Sequence, residues 1–268
     1  MMASSLTGCG GGASGAISVI TREDGSGTRG AFTELCGIME DDKDNTVSSA
    51  EVTNSTAVML TTVAGNAASI GYVSVGSLDD SVKALAIDGV KPSADAIKDG
   101  GYKISRPFNL ALSSSAGNAA QDFLAFILSR EGQAVVEKAG YIGVGQPKAY
   151  AGSRPAGKIV VAGSSSVTPA MEKLKEAYLK INPGAPIEIQ LSDSTTGMNA
   201  ARDGICDIGM ASRELKESEL KAGLKPVVMA MDGIAVIVNK ANPVNGLSSE
   251  QIRNVFTGSA VDWSALSM

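Results

Sequence analysis

Arg22-Glu23-Asp24-Gly25-Ser26-Gly27-Thr28 places a permanently charged, forked donor next to two hydroxyls and two glycines. The arginine guanidinium presents its N–H groups in a plane suited to an oxyanion. Ser26 and Thr28 add neutral donors, and Gly25 and Gly27 free the backbone for a tight turn. The loop lies within residues 16–32, where Ile17, Val19 and Ile20 read as a buried strand and the residues after the loop as a helix. The open N–H groups of a first helical turn, with the helix dipole behind them, favour negative charge. The chemistry of this segment is anion binding.

Two other readings of the loop compete. Residues 25–30 match the dinucleotide pattern Gly-x-Gly-x-x-Gly, which alone is weak. A dinucleotide fold also needs an acid about twenty residues on, at the end of a second strand. The residues there, Asp41-Asp42-Lys43-Asp44-Asn45-Thr46, follow no apolar run. No Gly-Lys-Ser/Thr closes the loop, so it is not a nucleotide P-loop. A purely structural glycine turn is the bland alternative.

The same chemistry recurs twice. Residues 163–169 (GSSSVTP) and 192–197 (SDSTTG) each set hydroxyl residues between a strand and a helix pattern, the first with Pro169 at the helix start. Each alone is also what a helix N-cap requires. Three such helix starts meeting at a cleft would surround a small tetrahedral oxyanion with neutral donors and one full positive charge.

The elements that must position these loops alternate. Apolar strand patterns occupy residues 16–21, 70–75, 104–112, 158–163, 186–191, 226–231 and 234–239. Between them, Met171, Leu174, Tyr178 and Ile181 recur at helical spacing, and residues 119–140 form a second helical run burying Phe123, Ile127 and Val135, ended by Gly140. The class is α/β with largely parallel sheets. Residues 147–157 (PKAYAGSRPAG) read as a linker and residues 1–13 as a flexible, glycine-rich leader.

Composition narrows the function. The chain has 268 residues, enough for two modest domains, and 44% apolar content describes an ordinary globular protein. A net charge of −5 argues against nucleic acid as partner. With no histidine there is no common general base and no histidine-ligated metal. The cysteines Cys9, Cys36 and Cys206 form no paired motif; Cys36 and Cys206 read as small buried residues. Residues 6–9 (LTGC) look like the end of a lipoprotein signal without the charged and apolar regions that should precede it. No cofactor or metal site is expected.

At these residues the chain resembles the phosphate-binding proteins of bacterial phosphate-import transporters. The resemblance rests on the Arg-x-Asp-Gly-Ser-Gly-Thr loop, the two serine loops and residues 206–215 (CDIGMASREL). It extends through 231–243 (MDGIAVIVNKANP), 248–258 (SSEQIRNVFTG), 262–266 (DWSAL) and 67–76 (AASIGYVSVG). It implies a two-lobed periplasmic-binding-protein fold of type II with a ligand cleft between the lobes. The order of segments is rotated: in the family KIVVAGSSS comes first and the Arg-x-Asp-Gly-Ser-Gly-Thr loop follows DWSAL. The chain therefore reads as circularly permuted, with the usual termini joined through 147–157. One lobe would comprise 14–102 plus 234–266, the other 103–233.

The resemblance further implies that Arg22 binds phosphate with Asp24 orienting its guanidinium, and that Ser26, Gly27 and Thr28 donate to the ligand. From the other lobe, Ser166, Thr168 and Ser194 would complete the cage, with Val167 limited to a backbone contact. Ser212 stands where better-known members carry an aspartate that accepts the proton of HPO₄²⁻, which leaves selectivity over sulfate open. A monomeric, extracytoplasmic, non-catalytic receptor working with a membrane permease is expected. The alternatives are a sulfate or general oxyanion receptor, a permuted scaffold or sensor with altered binding, and an enzyme acting on phosphoesters or dinucleotides.

Overall fold

Buried Ile20, Thr21 and Arg22 end a strand that runs directly into the glycine loop, and the sheet around that strand organises the molecule. The computed structural model describes residues 15–266; the expected leader and Cys9 lie outside them. Nine strands form one sheet: β1 (Ser18–Arg22), β2 (Glu51–Thr53), β3 (Ser69–Ser74), β4 (Val82–Ala84), β5 (Ser105–Leu112), β6 (Ile159–Ser164), β7 (Ile187–Ser192), β8 (Ile208–Ala211) and β9 (Val227–Asn239). Their order is β7-β6-β8-β5-β9-β3-β1-β2, with β4 also pairing β9. The outer strands pair in parallel around β6 and around β1. Every antiparallel pairing in this sheet involves β5 or β9, so the sheet is more mixed than the alternating pattern suggests.

The sequence pattern offers two strands, 226–231 and 234–239, separated by Asp232-Gly233. The structure makes them one strand of 13 residues. Its first half pairs with β5 and its second with β3 and β4. The polar break is absorbed because Asp232 is buried against hydrogen-bond partners. Gly233 in turn sits where a Cβ would lie 2.4 Å from Ile97 Cδ1 and 2.9 Å from Val75 Cγ2. β9 thus passes from one half of the molecule to the other.

Apolar packing follows the same division. One group of buried residues includes Phe108, Phe123, Val161, Met171, Tyr178 and Met229, with Ala111, Met198 and Leu215 in a smaller group beside it. The other group includes Phe32, Ile70, Tyr72, Ile234, Phe256 and Trp263, with Ile20, Met59 and Ile237 beside it. Among the described residues no helix is long and apolar enough to cross a membrane.

Helices α1 (Gly27–Leu35), α2 (Thr56–Gly65), α3 (Asn118–Ile127), α4 (Arg130–Lys138), α5 (Thr168–Leu179) and α6 (Ser194–Arg202) cover the sheet. In α5, Met171, Leu174 and Tyr178 are fully buried, the face the spacing predicts. The run 119–140 is two helices. Ser129 caps α4 by accepting from Gly132 N at 3.2 Å, which turns Val136 inward and leaves Val135 half-buried.

The proline- and glycine-containing segment 147–157 is tied down along its length. Arg130 N donates to Lys148 O, Tyr150 N to Glu131, and Ser153 N to Asp122. The Asp122 carboxylate also accepts from the hydroxyls of Tyr150 and Tyr178. Burial works to raise the Asp122 pKa, but these bonds outweigh it and hold the group below its ordinary value.

Candidate anion-binding site

Where β1 ends, the backbone of Arg22 is fixed by Tyr72, whose hydroxyl accepts from Arg22 N at 3.2 Å and bonds Thr21 Oγ1 at 2.8 Å. The Tyr72 ring stacks on Phe32 of α1, centroids 4.1 Å apart, which joins the strand to the helix after the loop. Burial pushes the Tyr72 phenol up to about 12, so it stays a neutral clamp. Arg22 itself is only 2% exposed. Its Nε and Nη2 donate to the two oxygens of Glu23 at 2.8 and 2.7 Å, and Nη2 also donates to Ser165 Oγ at 3.1 Å.

The orienting carboxylate is therefore Glu23. Asp24, to which the resemblance gave that role, is almost fully exposed and accepts from Arg29 Nη1 at 2.7 Å. The chain turns sharply after Glu23 to reach the N-cap Ser26, whose hydroxyl accepts from Arg29 N. Arg29, one turn into α1, then lies within reach of Asp24 on one side and Asp44 on the other. Asp44, near where a dinucleotide fold would hold a ribose, is committed to Arg29 and Thr46.

Hydroxyls from four helix starts meet beside Arg22. Thr28 Oγ1 of α1 bonds Ser166 Oγ at 2.8 Å, in the loop before α5. Thr56 of α2 bonds Ser165 and Ser166 through its hydroxyl at 3.3 and 3.2 Å, and its N–H donates to Ser165 Oγ. Ser164 Oγ donates to Ser212 Oγ at 3.0 Å, and Ser212 N donates to Ser194 Oγ of α6 at 3.0 Å. Thr28, Thr56, Ser164, Ser165, Ser166, Ser194 and Ser212 are all buried. A buried cluster of hydroxyls, each able to donate or accept, with a guanidinium at its edge can envelop a tetrahedral oxyanion. Thr28→Val, which removes one neutral hydrogen bond of about 1 kcal/mol, is expected to weaken anion binding about fivefold in a calorimetric titration.

Of the residues expected here, Arg22, Gly27, Thr28, Ser166, Ser194 and Ser212 come together. Ser26 is buried beside them as the α1 cap. Thr168 and Val167 are placed differently. The Thr168 hydroxyl donates to Ser164 O at 3.1 Å, closing the first turn of its own helix. Val167 is fully buried in the apolar core, and its N–H already donates to Ser164 O.

The two halves of the molecule touch closely at this point. Thr195 donates to Gly25 O through both its N–H and its hydroxyl, each at 3.2 Å. A Cβ on Gly27 would lie 2.4 Å from Ser194 Oγ and 2.8 Å from Ser212 Oγ; one on Gly25 would lie 2.2 Å from Asp193 Oδ1. The glycines of the loop are thus needed for close approach across the cleft.

Sequence reasoning missed Thr56, Ser165, Glu23 and a second arginine, Arg106. Asn54-Ser55-Thr56 before an apolar helix repeats the hydroxyl-then-helix pattern a fourth time and was the available signal for Thr56. Arg106 and Asp232 stand as lone charges inside apolar strand patterns, which is the mark of a buried pair. They are cross-strand partners in β5 and β9, both buried. Arg106 Nη2 donates to Asp232 Oδ2 at 3.3 Å and Nη1 to Ser212 O at 2.9 Å.

Comparison with known proteins is consistent along almost the whole chain. Residues 4–131 and 148–267 match the family model described as a PBP superfamily domain. The phosphate-binding protein PstS 2 of Streptococcus agalactiae is 54% identical over 259 residues, covering 94% of this chain and 88% of the relative. A phosphate-binding protein of a phosphate ABC transporter from Streptococcus pneumoniae TIGR4, known from its crystal structure, is 46% identical. That match covers 94% of this chain and 100% of the other, with a TM-score of 0.73. The phosphate-binding protein PstS of Pseudomonas aeruginosa is 32% identical over 118 residues, which is 41% of this chain and 36% of that protein.

Proposed function

The chain belongs to the PBP superfamily and, within it, to the family of the streptococcal phosphate-binding proteins, and we propose that it binds inorganic phosphate between its two lobes without catalysis, as the extracytoplasmic receptor of a phosphate import transporter. The observation that carries this reading is the buried hydroxyl cluster drawn from both halves of the molecule around the Arg22 guanidinium. Neutral donors from opposite lobes, with the Arg22 cation and a close approach across the cleft, suit a ligand that is small, anionic and enclosed on closure. The ligand contacts we assign are Arg22, Thr28, Thr56, Ser165, Ser166, Ser194 and Ser212, with Gly27 giving its amide.

We assign one lobe to 14–102 plus 234–266 and the other to 103–233, a division supported by the two groups of apolar packing and by β9, which pairs with strands of both. The rotated chain order is supported by three features. Ile17 N donates to Val261 O and Trp263 N to Gly15 O, so the segments that are continuous in the unrotated order lie side by side. The tethering of 147–157 suits a segment that joins former termini. The match to the Pseudomonas protein over one stretch of under half the chain, beside near-complete matches to the streptococcal proteins, fits an order shared with the latter.

Titration of the protein, stripped of bound ligand, with phosphate and then with sulfate tests the function. One-to-one phosphate binding that excess sulfate does not reverse is the expected result. Equal binding of both would make the protein a general oxyanion receptor, and no response from a folded protein would sink the reading.

A further inference from the structure

Behind the hydroxyl cluster, at the crossing of the two lobes, lies a charged pair that contacts no ligand-facing hydroxyl. Arg106 and Asp232 face each other across β5 and β9, one residue before β9 turns from β5 to β3. They are 2% and 1% exposed. The pair reaches the site through one bond, from Arg106 Nη1 to the carbonyl of Ser212. Arg106 Nε is buried with no hydrogen-bond partner, and its guanidinium carbon lies 5.3 Å from the centroid of the Phe108 ring.

We infer that Asp232 takes up a proton when a dianion fills the hydroxyl cage, so that Arg106 and Asp232 make anion binding proton-linked. The inference rests on the cage being an anion site. Its geometry is a guanidinium shared between two claimants: the Asp232 carboxylate on one side and, through Ser212, the cage on the other. Two negative charges arriving in the cage compete for that guanidinium and oppose a second buried anion nearby, which raises the carboxyl pKa.

The surroundings of Asp232 allow this. Its Oδ1 accepts from Ser74 Oγ at 2.9 Å and Gly76 N at 3.4 Å, from the end of β3 and the turn after it. Burial lifts its pKa to about 6, against the opposing pull of Arg106 and those two donors. Burial also weakens the hold of Arg106 on its own proton, and the neighbouring charge of Arg22 from β1 works the same way. Tyr141 and Tyr102 are the phenols nearby. Burial pushes Tyr141 to about 12 and Tyr102 higher still, so both stay neutral wherever Asp232 titrates. Beyond Tyr141, Asp95, Lys98 and Glu137 line a surface pocket. With its pKa lifted to about 6, Asp232 can change charge between pH 5 and 8.

Asp232→Asn keeps the shape and removes the charge, so it mimics the protonated carboxyl. Phosphate affinity is measured by calorimetric titration for wild type and variant from pH 5 to 8.5. Taking their ratio at each pH cancels the titration of phosphate itself. The variant is expected to bind about tenfold more tightly at pH 8 for each unit by which the ligand raises the Asp232 pKa, the two converging near pH 5. A ratio constant across pH, including a uniform loss of affinity, overturns the proton link while leaving the phosphate reading intact. A wild type that binds no phosphate overturns both.

Ser74→Ala serves if the asparagine variant does not fold. Removing this donor should move the pH dependence of wild-type affinity upward, and an unmoved profile overturns the inference.

Discussion

Arg22→Ala is expected to lower phosphate affinity by two to three orders of magnitude while the unliganded protein stays folded. The lost guanidinium is a full positive charge bonded directly to the hydroxyl cluster through Ser165, and hydrogen bonds to charged partners contribute about 1.5–3 kcal/mol each. Two such bonds amount to about 3–4 kcal/mol at the low end of that range, and each 1.4 kcal/mol is about a factor of ten in affinity. The cost to the unliganded fold is smaller, because the partner left behind, Glu23, has a side chain 22% exposed and can turn to water. Melting should fall by a few degrees at most. Arg22→Lys keeps the charge but loses the fork that engages Glu23 and Ser165 together, and should fall between wild type and alanine. Calorimetric titration with phosphate, paired with melting curves without ligand, checks both halves. An alanine variant that binds as wild type does would remove Arg22 from the site.

Gly27→Val is expected to abolish high-affinity binding by a different route, through closure. The atoms nearest to a Cβ at Gly27 are Ser194 Oγ, Ser212 Oγ and Arg213 Cγ, at 2.4, 2.8 and 3.0 Å, and all belong to the opposite half of the molecule. Those serines are buried and hydrogen-bonded to one another's backbone or hydroxyl, so they cannot swing aside cheaply. A valine is accommodated by holding the halves apart, which leaves each core intact. Apparent affinity falls by the fraction of molecules still able to close, and a loss of at least about a hundredfold is expected for a closure opposed by about 3 kcal/mol. Solution scattering should show the wild type contracting on addition of phosphate and the variant unchanged. Gly65→Ala in α2, where a Cβ meets nothing within 4 Å, is the matched control and should bind normally.

Arg22 and Gly27 illustrate what a one-dimensional reading reaches. Both belong to a strand, loop and helix start contiguous in the chain, and the chemistry of that unit follows from local rules: a buried strand, small residues at a turn, open N–H groups at a helix start. The same holds for the 163–169 and 192–197 loops and for the buried face of α5. Anion chemistry built on neutral donors, in a chain with net charge −5 and no histidine, was thus legible from residue types and spacing.

The tertiary structure decided which of these donors share one space and what lies behind them. Thr56 joins Ser165 and Ser166 because the sheet sets α2 opposite α5, from positions about 110 residues apart. Glu23 rather than Asp24 holds Arg22, since the turn and the competing Arg29 settle which carboxylate faces inward. Asp232-Gly233 reads locally as a break between strands, yet it lies within one strand because Arg106, 126 positions away, supplies its partner. Short-range patterns report backbone preference and which face is apolar. A buried charge is tolerable only with its partner in place, and that partner is set by strand order, which no local pattern encodes.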